Sequence, residues 1–308
     1  MNLLSFPFLV NILFLLAVVL YLLKKTGSKN IVKTKSFKPV IDKFTIDLTR
    51  LARDGKLDPV VGRDQEIKRV IQVLSRRKKN NVILHGKAGI GKTAIAEGLA
   101  TAIVEGRVPS SLLDKKVLKL DISSVLAGTK YRGDFEQRFK ALIDNIIALN
   151  KQIIVFIDEI HTIVQAGGAE GAIDADDIIK APLARGELQM VGTTTNKEYQ
   201  QYIAPDPTLN RRFEALLIQE PTKAKTINML KALKTGYEEY HNVIISDDIV
   251  KQIVNFSAKI KDRVFPDKAI DIMDEVSAKA RLDNVGDDKK IKIKIKDVKE
   301  VFDFFIKQ

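Results

Sequence analysis

Apolar residues along this chain fall into runs of three kinds. The first is continuous: Leu3 to Leu23 holds no charged residue. At about 1.5 Å of rise per residue such a helix reaches roughly 30 Å, enough to cross a bilayer. Pro7 lies in its first turns, where proline costs least. Nothing positive precedes the run except the terminal amine, and Tyr21-Leu22-Leu23-Lys24-Lys25 offers no small-residue cleavage site, so it reads as a transmembrane helix rather than a cleaved signal. The second kind is short and uniformly apolar: Val82 to Leu84, Ile153 to Ile157, and Leu188 to Val191. These fit strands of a parallel sheet covered on both faces. The third kind is periodic. Ala94 to Ile103 repeats as a helix, and the pattern turns helical again from Lys223 onward. Ile291 to Lys296 alternates strictly, predicting a half-buried strand with a lysine face, and Asp297 to Phe305 reads as an amphipathic helix. The predicted fold class is therefore α/β, a parallel sheet between helices followed by a small helical domain, with a transmembrane helix ahead of both.

Composition narrows what this architecture can do. The 308 residues include no Cys, which excludes disulfides, thiolate zinc sites, iron–sulfur clusters and a cysteine nucleophile. The three His (His85, His161 and His241) are far apart and form no H-E-x-x-H. The formal net charge of +12 invites nucleic acid or an anionic membrane as partner. Its position decides. Lys24 to Lys43 carries seven Lys against the single Asp42, which is half of the surplus. Lysines beside a first span stay on the cytosolic side. The expected topology is single-pass, N-terminus out, with the remaining chain in the cytosol and a basic linker able to lie on lipid head groups. The rest of the surplus is spread over residues 44–308, so nucleic acid is not an expected partner.

Candidate chemistry sits at the ends of the apolar runs. After the first strand comes G-K-A-G-I-G-K-T (Gly86, Lys87, Ala88, Gly89, Ile90, Gly91, Lys92 and Thr93), followed by Ala94 and a helix. In that context glycines let backbone N–H groups curl around phosphates, and the helix N-terminus adds positive potential. Lys92 is placed to reach the β- and γ-phosphates of ATP, and the Thr93 hydroxyl to ligate Mg²⁺. The second run ends in Asp158-Glu159, which supplies a magnesium-holding carboxylate and a neighbour able to polarise the attacking water. The third leads into Gly192-Thr193-Thr194-Thr195, whose hydroxyls can orient water near the γ-phosphate. Arg211-Arg212 is the remaining candidate, since an arginine aimed at a γ-phosphate accelerates transfer by orders of magnitude.

The order of these motifs resembles the AAA+ ATPases of the Clp family, and within it the first ATPase module of the ClpA, ClpC and ClpB kinds. The likeness is continuous from about Leu48 to Ala280. It includes Gly55–Asp64 (G-K-L-D-P-V-V-G-R-D), Ala127–Lys140 (A-G-T-K-Y-R-G-D-F-E-Q-R-F-K), Phe156–Thr162 (F-I-D-E-I-H-T), Leu209–Phe213 (L-N-R-R-F) and Pro266–Asp271 (P-D-K-A-I-D). The resemblance implies an AAA+ fold with a large P-loop domain at 45–222 and a helical lid at 223–308, after the span at 1–23 and the linker at 24–44. It implies that Lys92 and Thr93 bind nucleotide and Mg²⁺, that Asp158 holds the metal, and that Glu159 is the catalytic glutamate. Thr195 takes the sensor-1 position. Arg211 and Arg212 take that of arginine fingers completing a neighbour's site, which requires a ring, here a homo-hexamer. Val60 and Val61 lie where backbone meets adenine, and Pro266 belongs to the first-module version of the lid motif. Tyr131 matches the aromatic pore-loop residue that grips a polypeptide substrate, and Ala166–Gly171 a second pore loop.

There are departures. Lys87 and Ala88 stand where the family usually has Glu and Pro. No adaptor-binding domain, middle arm, second ATPase module or ClpP-docking loop is found, so a ClpP-type protease is not an expected partner. The expected function is a membrane-anchored AAA+ ATPase that remodels, unfolds or threads proteins as a Clp-like chaperone. Two alternatives belong to other classes. One is an ATP-binding membrane scaffold with weak hydrolysis, against which every hydrolytic residue is present. The other is a nucleic-acid-dependent ATPase, suggested by the DExH-like Asp158-Glu159-Ile160-His161, against which no aromatic-interleaved basic stripe is found.

Overall fold

A computed structural model describes residues 38–129, 132–149, 151–165, 175–286 and 289–307. The apolar segment Leu3–Leu23, most of the basic linker, Tyr131 and Ala166–Gly171 lie outside the described residues. Among those described, no helix is long and apolar enough to cross a membrane.

Six strands form the central sheet: β1 (Thr45–Asp47), β2 (Asn81–His85), β3 (Lys116–Leu120), β4 (Ile153–Ile157), β5 (Gln189–Thr194) and β6 (Phe213–Leu217). Their spatial order is β1-β3-β4-β5-β2-β6. All neighbours run parallel except the edge strand β1, which pairs antiparallel with β3. The apolar runs explain why. Ile154, Val155, Phe156 and Ile157 are all completely buried, because helices cover both faces of a parallel sheet and leave no polar side for alternation. One face carries Val82, Leu84, Ile154 and Phe156; the other carries Ile83, Val155 and Ile157.

The principal helices of this layer are α1 (Asp64–Leu74), α2 (Lys92–Val104), α3 (Arg132–Ile147), α4 (Ala175–Arg185) and α5 (Pro207–Arg212). In α1 the apolar positions Ile67, Val70, Ile71 and Leu74 repeat at helical spacing and are buried, so its stripe packs on the sheet while Asp64 and Glu66 favour its N-terminus. The end of the predicted linker is ordered: Lys38–Phe44 is a helix, because Ile41 and Phe44, three residues apart, both bury in the core of the sheet layer.

The second layer is helical. It comprises α6 (Lys223–His241), α7 (Asp247–Ser257), α8 (Asp267–Leu282) and α9 (Ile295–Lys307). Leu230, Val250, Ile253, Ile272, Met273 and Val298 share its buried cluster. Thr222 and Ser246 accept hydrogen bonds from the Lys225 and Ile249 amides and cap α6 and α7. The alternation at Ile291–Lys296 yields less strand than predicted. Only Ile291–Lys292 pairs, parallel with Val243–Ile244. That partner is two residues long, Ile293 turns into the core, and Asp297 accepts from the Lys294 amide to start a helix at Ile295.

Candidate active site

The chemistry-bearing residues converge at the C-terminal edge of the sheet, where the strands end and loops begin, the usual ligand side of an open α/β sheet. The loop Gly86–Gly91 joins β2 to α2. Its path admits no side chain at Gly86, where a Cβ would stand 2.6 Å from the Ile218 carbonyl oxygen. Gly91 takes φ of +86° as it turns into the first residue of α2, a conformation glycine adopts freely. Ile90 is buried beneath the loop and Lys87 and Ala88 are exposed on it. The α2 N-terminus thus opens onto the loop with its first amide groups directed at any bound anion.

Lys92 is the first residue of α2 and folds back over the loop, its Nζ donating to the carbonyls of Gly86 and Lys87 at 3.1 and 2.8 Å. Burial lowers its pKa, while Asp158, Glu198 and Glu159 oppose that shift. An ammonium kept short of water in this way gains more from phosphate oxygens than a solvated one.

Thr93 donates its hydroxyl to Asp158 Oδ2 at 2.9 Å, joining the first turn of α2 to the end of β4. On its other oxygen Asp158 accepts the Thr193 hydroxyl. Thr193 Oγ1 accepts in turn from the Glu159 amide at 3.0 Å, and the Ile160 amide donates to the Thr193 carbonyl at 2.9 Å. These bonds hold Glu159 at φ of +52°, a left-handed conformation that carries strain in a residue other than glycine. The result presents the Glu159 side chain to the cleft, exposed, beside the buried end of β4.

The three threonines predicted to act at this point divide between partners. Thr193 touches Asp158, and Thr194 meets His161 Nδ1 at 3.1 Å. Thr195 caps the short helix Asn196–Glu198 in a reciprocal capping box with Glu198. All three line the same cleft.

That cleft has a volume of about 940 Å³. Val60 and Val61 line it together with Met229, Leu233, Pro266 and Ile270 of the helical layer. These six make an apolar slot suited to a flat base, with the phosphate loop at its mouth. Ala94 and the loop residues from Ala88 to Thr93 complete the floor. Asp267, at the start of α8, lies close against Gly89, so the helical layer abuts the phosphate loop.

Arg211 and Arg212 are elsewhere. They end α5, just before β6, and β6 is in parallel register with β2 from Phe213↔Asn81 to Leu217↔His85. The pair therefore flanks the N-terminal end of the strand whose C-terminal end carries the loop. A five-residue strand at about 3.3 Å per residue separates them by roughly 15 Å. Arg211 is exposed, and neither arginine lines the cleft.

Three residues outside the predicted set belong to the site. Arg63 is buried and donates to the Ile90 carbonyl at 2.5 Å, the Gln219 carbonyl at 3.1 Å and Glu66 Oε1 at 2.8 Å. It fastens the underside of the phosphate loop to the end of β6. Glu97 follows Thr93 by one helical turn and lines the cleft; burial raises its carboxyl pKa, against the pull of Lys119. Lys119, near the end of β3, reaches Asp158 Oδ2 at 3.8 Å. For Arg63 the signal was present in the Gly55–Asp64 stretch, as an arginine three residues before Glu66 at a helix start. Glu97 and Lys119 gave none, since their burial depends on neighbours from other strands.

Thr93 and Asp158 suit magnesium: two hard oxygen donors at the mouth of a phosphate loop, with no group of three or more His, Cys, Asp or Glu among the described residues that could cage a metal. Magnesium is commonly held in this way, by one or two protein oxygens plus phosphates.

A parallel sheet bearing this loop and acidic pair at its C-terminal edge, with a helical lid lining the same cleft, defines the P-loop fold of the AAA+ class. The model of the ATPase family associated with various cellular activities matches residues 82–219, and that of the AAA lid domain matches 222–303. The ATP-binding subunit ClpC of the Clp protease from Staphylococcus epidermidis is 54% identical over 245 residues, 79% of this chain and 30% of that protein. The Staphylococcus aureus ClpC is 52% identical over 258 residues, 83% and 31% respectively. Among solved structures, the Saccharomyces cerevisiae Hsp104–ADP complex superposes with a TM-score of 0.78 at 38% identity, covering 86% of this chain and 45% of that one. The S. cerevisiae Hsp104:casein complex gives 0.73 at 39%, covering 83% and 43%. The ATPase model and the lid model of the AAA class thus follow one another along the chain, and over this span it is similar to an ATPase module of the Clp and Hsp104 kind. It spans about 30% of the length of the curated relatives it matches.

Proposed function

We propose that this chain is a membrane-anchored, ring-forming ATPase that uses ATP hydrolysis to remodel or unfold polypeptides. The position of Arg211 and Arg212 carries the reading. An arginine pair at the end of the sheet opposite its own phosphate loop cannot serve that loop, but in a closed ring it faces the next subunit's cleft. A homo-hexamer is the assembly we infer. Within each subunit, Lys92 and the loop amides hold the phosphates, Thr93 and Asp158 hold Mg²⁺, and Glu159 takes a proton from the attacking water. Val60, Val61 and Pro266 bound the adenine slot, and Thr195 stands at the strand end where a sensor of the γ-phosphate is needed. Residues 45–222 form the P-loop domain and 223–308 the lid.

Polypeptide as substrate is supported by the structural likeness to Hsp104 in complex with casein; Tyr131 is the residue we assign to grip it. The anchor rests on the uncharged run Leu3–Leu23 and the lysines that follow, which set the N-terminus outside and the ATPase in the cytosol.

The full chain in detergent or nanodiscs tests this. With Mg²⁺ and ATP, Glu159→Gln should assemble into six-subunit particles by mass photometry, and wild type should hydrolyse ATP and raise the hydrogen exchange of labelled casein. Absence of hydrolysis together with monomers in Glu159→Gln overturns the proposal. Extraction of the chain by alkaline carbonate overturns the anchor alone.

A further inference from the structure

The cleft around Asp158 is acidic. Asp58, Glu97, Asp121, Asp158 and Glu159 all line it. A nucleoside triphosphate is itself a polyanion, so this cleft needs positive charge. Lys92 lies on the loop side, and Arg63 is committed beneath the loop to Ile90, Gln219 and Glu66. Among the described lining residues, Lys119 is the remaining cation. Its place follows from the sheet. Lys119 is in parallel register with Phe156 of β4, and Asp158, two residues further on, returns to the same face. Flanking Leu118 and Leu120 point to the opposite face and are buried there, which fixes the backbone at Lys119, and its Nζ meets Asp158 Oδ2 at 3.8 Å. That is the oxygen to which Thr93 donates.

We propose that Lys119 is a positioning residue of the magnesium–nucleotide site, sharing the Asp158 carboxylate with the metal and setting how tightly magnesium is held. The proposal rests on the reading of Thr93 and Asp158 as the metal side of an ATP site. An ammonium cannot coordinate a cation. Beside Asp158 it weakens the carboxylate's attraction for a divalent ion, while adding attraction for phosphate oxygens. The two effects have opposite signs, which separates this role from simple support of the fold.

The test uses the full chain and a fluorescent ADP analogue carrying the methylanthraniloyl group. Affinity is measured first in EDTA; magnesium is then titrated into the complex, with correction for metal bound by free nucleotide. Lys119→Met should weaken metal-free nucleotide binding about three- to fivefold and lower the magnesium needed for half-saturation by a similar factor, the size expected of a partly exposed ion pair. Lys119→Arg should stay within about twofold of wild type on both readings. Unchanged constants, or a shift of both toward weaker binding, overturn the proposal. Asp158→Ala separates the two layers. If it raises the magnesium requirement while Lys119→Met changes nothing, only the lysine's role fails. If Asp158→Ala leaves the requirement unchanged, the reading of the metal side fails.

Discussion

The hydroxyl of Thr93 and the carboxylate of Asp158 lie 65 residues apart in the chain and 2.9 Å apart in space. That contact joins the nucleotide helix α2 to the end of β4, and with Thr193 on the other oxygen it leaves Asp158 one orientation, facing the phosphate loop. Asp158→Asn keeps the shape and removes the charge. Phosphate release at saturating magnesium should fall by about 10²-fold or more, because the metal's charge stabilisation is lost, while nucleotide still binds. A variant that keeps more than about a tenth of wild-type turnover counts against a metal role for Asp158.

The separation between Arg211, Arg212 and their own cleft makes a prediction about mixtures. R211A/R212A and Glu159→Gln subunits should each be nearly inactive alone, the first by a factor of about 10³ or more. Mixed rings should regain hydrolysis, because a Glu159→Gln subunit has intact arginines to complete the site of a neighbour that has an intact Glu159. If mixing restores nothing while both variants still form rings, the arginines do not act between subunits.

Arg63 holds three elements from a buried position. Replacing it with Met leaves the Ile90 and Gln219 carbonyls and Glu66 without this donor. The cost should be about 2–4 kcal/mol, read as a lowered urea midpoint. Arg63→Lys should recover little of it, since a single ammonium cannot reproduce the planar fork. Full stability in Arg63→Lys would show that charge alone matters there.

The lid contributes a pH dependence of definite sign. Lys231 and Lys234 both bond Asp247 and lower its pKa from 3.8 to about 2. A carboxylate with a depressed folded pKa stabilises the fold above its unfolded pKa and loses that contribution as pH falls toward the folded value. The stability gap between wild type and Asp247→Asn should therefore be constant from neutral pH down to about 5 and shrink toward pH 3. Denaturation at several pH values checks this; a gap that grows on acidification would contradict the assignment.

Local pattern carried much of this protein. Gly86–Thr93 between a strand and a helix specifies a phosphate loop wherever it occurs, because glycine freedom, a terminal helix amide array and one lysine are all supplied within eight residues. The uniform burial of Ile153–Ile157 is equally local in its cause, as a parallel strand covered on both faces has no polar alternation. Patterns failed where the partner was out of sight. The alternation from Ile291 to Lys296 predicts a full strand, but strand length is set by the partner, and Val243–Ile244 is two residues long. The threonines after Val191 predict a hydroxyl at the γ-phosphate, and the family resemblance selects Thr195; that Thr193 is the one bonded to Asp158 depends on the pleat of β5 beside β4.

The sequence by itself determined the phosphate loop and the acidic pair Asp158-Glu159 that ends an apolar strand, since each rests on residue types at short, local spacing. Only the tertiary structure decided that Arg63 sits buried beneath the phosphate loop, that Lys119 reaches Asp158, and that Arg211 and Arg212 lie at the opposite end of the sheet from their own phosphate loop. The physical reason is strand order. With β3, β4, β5 and β2 laid side by side, residues distant in the chain become neighbours across a few ångströms, and the charges that tune the site come from strands whose own sequence names no ligand.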